Sequence, residues 1–295
     1  MGVHQRPARN NSFKHGSVFM DTIVRHPAVA GRFYPADANI LSRDLNFYLS
    51  SNKQDSLDRK NIPALGCVVP HAGYVYSGHV AGAAFAALDL PKHFLILGPN
   101  HTGLGEPLAI MRQGAWKTPL GEVEINSGLA TALLERFPLL AEDAEAHRAE
   151  HAIEVQLPFL QTLRPDCTFV PITIGTSQLD VLIALGEAIA GVLSEQTEPV
   201  LIISSSDMNH YENDAITRVK DHRAIEQILL LNAQRLAETV NEQKISMCGI
   251  WPTVVMLTAV KKMGARAGQL VKYATSGDVF GERSHVVGYA GIVIR

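Results

Sequence analysis

Residues 93–101 read HFLILGPNH, and this stretch decides the predicted fold. Its apolar part is a continuous run rather than an alternation of apolar and polar residues, which predicts a strand buried on both faces. A histidine follows the run almost immediately, so a polar, chemically active side chain comes directly after a buried strand. Both properties recur elsewhere in the chain, and together they predict the architecture and the place of the site.

Continuous apolar runs and helical patterns alternate along most of the chain. The apolar runs are 64–70 (ALGCVVP), 93–99 (HFLILGP), 168–174 (TFVPITI) and 199–205 (PVLIISS), and 272–275 and 286–294 predict closing strands. Helical patterns cover residues 79–88, 127–136, 153–163, 179–193, 214–241 and 252–263. This alternation predicts a single three-layer α/β/α domain over residues 25–295, with a largely parallel or mixed central sheet. Residues 1–24 are polar and basic and are predicted to form a flexible N-terminal segment.

Composition excludes several classes of protein. The 295 residues are 46% hydrophobic and 19% charged with a formal net charge of −3, which excludes a disordered chain and a strongly basic nucleic-acid-binding domain. No apolar run reaches the length of a membrane-spanning helix, and the N-terminus has no signal-peptide pattern. Three widely spaced cysteines do not form a disulfide framework. The composition therefore predicts a cytoplasmic protein with no nucleic-acid or membrane partner.

Polar side chains follow three of the predicted strands. His71 comes after the first strand, His101 after the second, and Asp207 and His210 after the run that ends at residue 205. In α/β sheets, ligands bind beyond the carboxyl ends of the strands. If these strands are parallel, the four side chains converge on one crevice. Imidazole is a ligand for zinc, iron, copper and nickel, so the pattern favours a metal site.

Two histidines rarely suffice to hold a metal, and the residues alone leave the third ligand open. The candidates are Asp207, Glu150, Glu154 and Cys248. Cys248 precedes a predicted helix start, and we expect a helix N-terminus to lower the pKa of its thiol and favour the ligating thiolate.

A second cluster contains His147, His151 and Glu154, spaced i, i+4 and i+7. These residues would share one face of a helix if the helix extended back to His147. We interpret the cluster as a support that orients the ligand histidines rather than as an independent metal site. No phosphate-binding glycine loop, dinucleotide-binding fingerprint or serine-hydrolase elbow occurs in the chain.

Seven motifs, in order, resemble the signatures of the Memo family, whose bacterial and archaeal members are called AmmeMemoRadiSam system protein B. They are 25–35 (RHPAVAGRFYP), 70–78 (PHAGYVYSG), 97–101 (LGPNH), 118–121 (TPLG), 150–158 (EHAIEVQLP), 205–210 (SSDMNH) and 247–249 (MCG). The resemblance covers about residues 25–295. It implies a fold similar to that of class III extradiol dioxygenases, which are non-haem iron enzymes.

The resemblance also implies a set of site residues. It points to His71, His101 and Cys248 as metal ligands, with Asp207 and His210 as catalytic residues in the same pocket. The remaining residues that it places around the pocket or behind the ligands are Glu150, His151, Glu154, Tyr74, Tyr76, Phe33 and Tyr34. A cysteine stands where the extradiol enzymes have a carboxylate ligand. The expected cofactor is a divalent or redox-active metal ion, with Fe(II) or copper preferred and zinc as an alternative.

Three functions remain open from the sequence. The first is a dioxygenase-like, metal-dependent oxidoreductase of unknown substrate, in which His210 is the general acid or base and Asp207 orients it. The second is a non-catalytic module that binds a peptide or protein in a cleft lined by aromatic side chains. The third is a component of a modification system beside AMMECR-type and radical SAM proteins, as the bacterial family name implies.

Overall fold

The computed structural model describes residues 23–50 and 63–295, and it confirms the predicted α/β architecture with a large mixed sheet and helices around it. The strands are β1 (Val24–Arg25), β2 (Gly66–Val69), β3 (His93–Pro99), β4 (Leu108–Ile110), β5 (Ala115–Thr118), β6 (Gly121–Ile125), β7 (Ala141–Glu142), β8 (Thr168–Ile174), β9 (Val200–Ser205), β10 (His210–Glu212), β11 (Gly268–Thr275) and β12 (Val286–Ile294). The helices are α1 (Ala38–Ser50), α2 (Tyr74–Ala86), α3 (Ser127–Arg136), α4 (Glu145–Arg148), α5 (Leu157–Leu163), α6 (Leu179–Ser194), α7 (Asp214–Leu229), α8 (Ala233–Glu242), α9 (Ile250–Lys262) and α10 (Ser276–Phe280), with a 3-10 helix at Glu154–Gln156.

The sheet has the strand order β1-β5-β6-β8-β3-β9-β2-β12-β10. Its centre is parallel, because β8 pairs with β3, β3 with β9, and β9 with β2 in the same direction. Antiparallel pairs flank this centre, with β12 beside β2 and β5 beside β6. Because these central strands run in the same direction, the carboxyl ends of β2, β3 and β9 lie at the same end of the sheet.

Helices cover both faces of the central strands. On one face, α1, α2 and α5 pack together, and α2 contacts β2. On the other face, α9 packs between α6 and α8 and contacts β2, β3 and β9. All six residues of β9 are buried, as are six of the seven residues of β3. Continuous apolar runs thus form strands with no solvent-facing side, as the sequence predicts.

Several predicted elements differ from the observed ones. The single helical pattern over residues 214–241 is two helices, because Leu231 adopts a left-handed conformation (φ 53°) and the Asn232 side chain caps the start of α8. Helix α2 begins at Tyr74, five residues before the predicted start at His79. The elements that the sequence pattern does not predict are short or lie outside the apolar runs, namely α1, α4, α10, β1, β4–β7 and β10. Of the predicted N-terminal segment, only Ile23 and Val24 lie within the described residues.

The strand β11 lies at an edge of the sheet and pairs, among the residues that the structure describes, with β12 alone. The pairing runs from Gly268 opposite Ile294 to Thr275 opposite Gly288. Its register shifts between Leu270 and Lys272, which marks a β-bulge.

No helix within residues 23–50 and 63–295 combines the length and the apolar character that crossing a lipid bilayer requires. Cys67 and Cys167 are buried among apolar side chains.

Candidate metal centre

The candidate site lies just beyond the carboxyl ends of β2, β3 and β9. His71 follows β2, His101 follows β3, and Asp207 follows β9. The Asp207 carboxylate accepts a hydrogen bond from the backbone N–H of His71 at 2.8 Å, which ties the ends of β2 and β9 together. The imidazole rings of His71 and His101 lie 5.2 Å apart between centroids. The structure thus brings together three side chains that are far apart in the sequence.

The imidazole of His151 joins those of His71 and His101, and the three side chains form the metal group. The ring of His151 lies 5.4 Å from that of His71 and stacks at 4.8 Å on that of His101. One ring nitrogen from each histidine lies within 4.8 Å of the corresponding nitrogens of the other two. Three imidazoles so arranged can hold a metal ion, since neutral imidazole is a common ligand of zinc, copper, iron and nickel.

His151 was predicted to lie behind the ligands, and its ring lies beside those of His71 and His101. The signal for it was present in the motif EHAIE at residues 150–154, where His151 follows Glu150 directly. The expected helix face, however, does not exist. Helix α4 ends at Arg148, and the 3-10 helix begins at Glu154, so His147 and His151 are not on one helix. His147 instead lies in the core, with Nδ1 2.9 Å from the Thr173 hydroxyl.

Cys248 lies beside His71 at the start of α9. Its sulfur is 3.2 Å from His71 Nε2 and accepts a hydrogen bond from the Asp207 backbone N–H at 3.3 Å. Two ligands of one tetrahedral zinc ion, at about 2.3 Å for sulfur and about 2.0 Å for nitrogen, lie roughly 3.5 Å apart. The observed separation of sulfur and nitrogen is close to that spacing, so Cys248 fits as a donor next to His71.

The expected low pKa of the Cys248 thiol is wrong for this arrangement. Burial and the nearby Asp207 carboxylate raise the pKa of the thiol, and together they outweigh the backbone hydrogen bonds that lower it. The backbone of Gly249 at the helix start is among the groups that lower the pKa, but its contribution is smaller than that of burial. A bound metal would favour the thiolate here, because a coordinating thiol is deprotonated.

Glu150 is the buried carboxylate behind two of the histidines. Its Oε1 accepts from Nδ1 of His101 at 2.9 Å and from the backbone N–H groups of His151 and Ala152, both at 2.9 Å. Its Oε2 accepts from the His101 backbone N–H at 2.6 Å. Burial opposes ionisation, but the His101 hydrogen bond and the backbone donors prevail and lower the pKa of Glu150 to about 2. With Nδ1 of His101 engaged in this way, Nε2 is the nitrogen left for a metal.

The imidazoles of His71 and His151 are neutral at physiological pH. Burial and the neighbouring His101 lower the pKa of His71 to about 3. Burial and the neighbouring His71 lower the pKa of His151 to about 4. Neutral imidazole is the form that binds a metal, so these side chains need not lose a proton first. The imidazole donors and their protonation therefore fit a metal ion, and the Cys248 thiol would lose its proton on binding one.

Asp207 and His210 lie at the edge of this group. Burial raises the pKa of Asp207, although the backbone N–H groups of His71 and Ala72 and the nearby His210 work against that shift. Nδ1 of His210 lies 2.8 Å from the carbonyl oxygen of Ser246. A carbonyl only accepts, so Nδ1 bears a proton, and Nε2 of the neutral ring is free to accept one.

The remaining predicted pocket residues fall in three different places. Phe33 packs against His151 with ring centroids 4.6 Å apart, so it borders the metal group. Tyr34 and Tyr74 are buried, and their hydroxyls donate to Glu154 and to the Val155 carbonyl, both at 2.6 Å. Tyr76 lies on the surface, 41% exposed, with its ring tilted against that of Phe280 at 4.8 Å between centroids.

Glu154 serves the fold rather than the metal group. Its carboxylate pairs with the buried guanidinium of Arg25 and accepts the backbone N–H groups of Ala28 and Val29 at 2.8 and 3.1 Å. Arg25 also donates to the backbone carbonyls of His147 and Glu150. The pair therefore fastens the segment that begins at Arg25 to the loop that positions His151.

Comparisons with known proteins agree on one family. The family model described as "Memo-like protein" matches residues 25–293. A MEMO1 family protein of Methanopyrus kandleri is 45% identical over 279 residues, covering 92% of this chain and 99% of that protein. A MEMO1 family protein of Archaeoglobus fulgidus is 43% identical over 274 residues, covering 92% of this chain and 100% of that protein. Among solved structures, an uncharacterised protein of Escherichia coli K12 matches with a TM-score of 0.49 at 12% identity, covering 77% of this chain and 98% of that one.

Proposed function

Because the chain belongs to the Memo-like protein family, we propose that it is a metal-dependent oxidoreductase that acts on a small molecule or peptide. In this proposal His71, His101 and Cys248 hold the metal, and the imidazole of His151, which lies beside both rings, is the further candidate donor. The observation that supports it is the convergence of donors. Three histidine nitrogens lie within 4.8 Å of one another, and the Cys248 sulfur lies 3.2 Å from one of those rings.

The chemistry of these donors is compatible with a redox-active metal. Imidazoles combined with a soft thiolate suit copper and iron, as well as zinc. Held by these residues, such a metal would supply Lewis-acid or redox activation of a substrate oxygen. The protein groups around it then determine which protons move and which part of the pocket water can enter.

His210 is the proposed general acid or base. The Ser246 carbonyl fixes the proton on Nδ1 at 2.8 Å, and the Ser246 hydroxyl accepts the His210 backbone N–H at 2.7 Å, so both the ring and its backbone are held. Nε2 is the atom that takes a proton from a substrate hydroxyl or returns it. The Asp207 carboxyl lies near enough to His210 for the two groups to interact electrostatically, although burial raises the pKa of Asp207.

Phe33 supplies an apolar wall to the same pocket. It packs on His151, and His151 in turn shields His101, whose side chain is 33% exposed. An aromatic wall of this kind excludes water from one side of the metal group and provides a surface against which a planar or aromatic substrate can stack.

Elemental analysis tests the metal centre directly. In protein purified without an affinity tag, we expect about one equivalent of iron or copper, and a large loss of that metal in His101→Ala and Cys248→Ser. Exposed His285 and buried Cys167 lie elsewhere, so His285→Ala and Cys167→Ser are the matched controls and should retain the metal. Equal metal in Cys248→Ser and the wild type would remove Cys248 from the ligand set, and a metal-free wild type that takes up none would refute the proposal.

The activity requires a second measurement. With the metal bound, we expect uptake of O₂ in the presence of an oxidisable substrate, and its loss in His210→Ala with the metal content unchanged. Peptide binding and association with AMMECR-type and radical SAM proteins stay predictions from the family resemblance.

A further inference from the structure

Ser205 lies directly behind His71 and has three hydrogen-bond partners. Its Oγ is 2.6 Å from the Ala152 carbonyl oxygen, 2.9 Å from Gln156 Nε2 and 3.0 Å from His71 Nδ1. Ser205 and its three partners, Ala152, Gln156 and His71, are all buried. A hydroxyl has one proton to donate and two lone pairs with which to accept, so the direction of each bond can be assigned.

The orientation of the Gln156 amide is fixed first. Its nitrogen also lies 3.0 Å from the carbonyl oxygen of Pro70, which can only accept a hydrogen bond. If the amide were turned over, its oxygen would face that carbonyl, and two acceptors would be in contact. Nε2 therefore donates both to Pro70 and to Ser205 Oγ, which uses one lone pair of the hydroxyl.

The proton of Ser205 is assigned next. The Ala152 carbonyl is also an acceptor only, and the contact of 2.6 Å is the shortest that Ser205 makes. The single hydroxyl proton therefore points to Ala152. One lone pair remains, and it faces Nδ1 of His71.

From this we infer that Ser205 and Gln156 are positioning residues that fix the tautomer of His71, with the proton on Nδ1 and the lone pair of Nε2 facing Cys248. The inference rests on the proposed metal centre, since it assigns the nitrogen through which His71 binds. Nε2 is the nitrogen 3.2 Å from the Cys248 sulfur, so the tautomer presents its lone pair on the side where the second donor lies.

The two strand-end histidines are thus held by chemically different partners. Behind His101 is the ionised carboxylate of Glu150, at 2.9 Å from Nδ1, whereas behind His71 is the neutral hydroxyl of Ser205. A carboxylate increases the basicity of the ring that donates to it more than a hydroxyl does. His101 is consequently the stronger electron donor of the two, and His71 is oriented without added negative charge.

Nitrogen NMR of the metal-free protein tests the tautomer itself. In ¹⁵N-labelled wild-type protein, we expect the ¹⁵N shifts of His71 to show a protonated Nδ1 and an unprotonated Nε2 at neutral pH. In Ser205→Ala, Nδ1 loses its acceptor, and we expect the ring to populate both tautomers. A proton on Nε2 in the wild-type protein would overturn the inference whether or not a metal binds.

Cobalt(II) binding tests the consequence. We expect Ser205→Ala and Gln156→Leu to raise the Kd for Co(II) about tenfold or more, as the loss of a partner behind a ligand does. Ser205→Thr, which keeps the hydroxyl, should restore most of the affinity. Ser204 is buried in the same strand and bonds to Thr253 instead, so Ser204→Ala is the matched control and should bind as the wild type does.

The results separate the two proposals. A wild-type protein that binds no Co(II) contradicts the metal centre, while the NMR tautomer still decides the assignment of Ser205. A wild type that binds, together with unchanged affinity and an unchanged His71 tautomer in both Ser205→Ala and Gln156→Leu, contradicts the inference alone. Thermal unfolding of each variant shows whether it is folded, and Gln156→Leu provides a second test if Ser205→Ala is not.

Discussion

Glu150 and Glu154 are four residues apart but contact different parts of the molecule. Both are buried carboxylates in one motif, and the sequence assigned both to the surroundings of the site. Glu150 does orient His101, but Glu154 turns to Arg25 and Tyr34 and organises the fold. Residue type and spacing identified these acids as candidates. Only the path of the 3-10 helix at Glu154–Gln156 decides which way each carboxylate points.

His147 gives a prediction at this scale that is independent of any metal. Its ring is buried, and burial together with the charge of Arg25 lowers its pKa to about 4. The unfolded chain therefore binds more protons than the folded one between about pH 6.5 and pH 4, so stability falls as the pH falls through that window. For this group alone, the loss between pH 7 and pH 4.5 is about 2 kcal/mol.

Urea unfolding measures this contribution. We expect His147→Gln, which cannot titrate, to lose about 2 kcal/mol less stability than the wild type between pH 7 and pH 4.5. His285 is exposed, so His285→Gln should follow the wild-type dependence. An identical slope in His147→Gln and the wild type would show that folding does not lower the pKa of this ring.

At the scale of elements, length decides what the sequence could predict. The seven-residue runs of β3 and β8 and the six-residue β9 were identified, since a continuous apolar run of that length has few other interpretations. The strands of two to five residues from β4 to β7 were not, because so few residues form no recognisable period. They are held instead by pairing with strands that are distant in sequence, as β4 is by β8.

The junction of β9 and α9 gives a prediction about an element. Cys248 reaches His71 because the start of α9 approaches β9 closely at Gly249, where a Cβ would lie 2.4 Å from both the Ser205 carbonyl oxygen and the Ser206 Cβ. We expect Gly249→Ala to push the helix start away, to destabilise the fold by about 1–3 kcal/mol and to weaken the absorption from cobalt–thiolate charge transfer.

The control for this variant is a glycine with room for a methyl group. A Cβ at Gly128, in α3, would make only an ordinary contact at 3.7 Å, so Gly128→Ala should keep the cobalt spectrum and be at least as stable as the wild type. A normal spectrum in Gly249→Ala would show that the close approach is not what places the sulfur.

At the scale of the whole molecule, the candidate site joins parts of the chain that are far apart. The candidate donors lie at positions 71, 101, 151 and 248, and the parallel centre of the sheet brings the strand ends at 71 and 101 together. Strand ends were visible in the sequence, so His71 and His101 could be predicted. His151 lies on no strand end: its motif marks it as a candidate, but its position depends on how Arg25 and Glu150 fasten the loop around it.

Such a site exists only in the folded protein, so a bound metal should stabilise the whole molecule. At a Co(II) concentration 100 times the Kd, the gain is about 2.7 kcal/mol, or roughly 5–10 °C in Tm for a domain of this size. Differential scanning calorimetry should show this rise in the wild type and none in His101→Ala. An equal rise in both proteins would mean that the metal binds elsewhere.

The bulge in β11 has a consequence for how the protein behaves when it is concentrated. An edge strand eight residues long offers a row of backbone groups on which a neighbouring molecule could add a strand and so begin an aggregate. The register shift between Leu270 and Lys272 interrupts that row near its middle and increases the local twist. A continuous series of backbone hydrogen bonds between the β11 strands of two molecules would be interrupted at that point. Lys272 would also place a charge at the contact between the two molecules. The irregularity in the edge therefore favours colloidal stability.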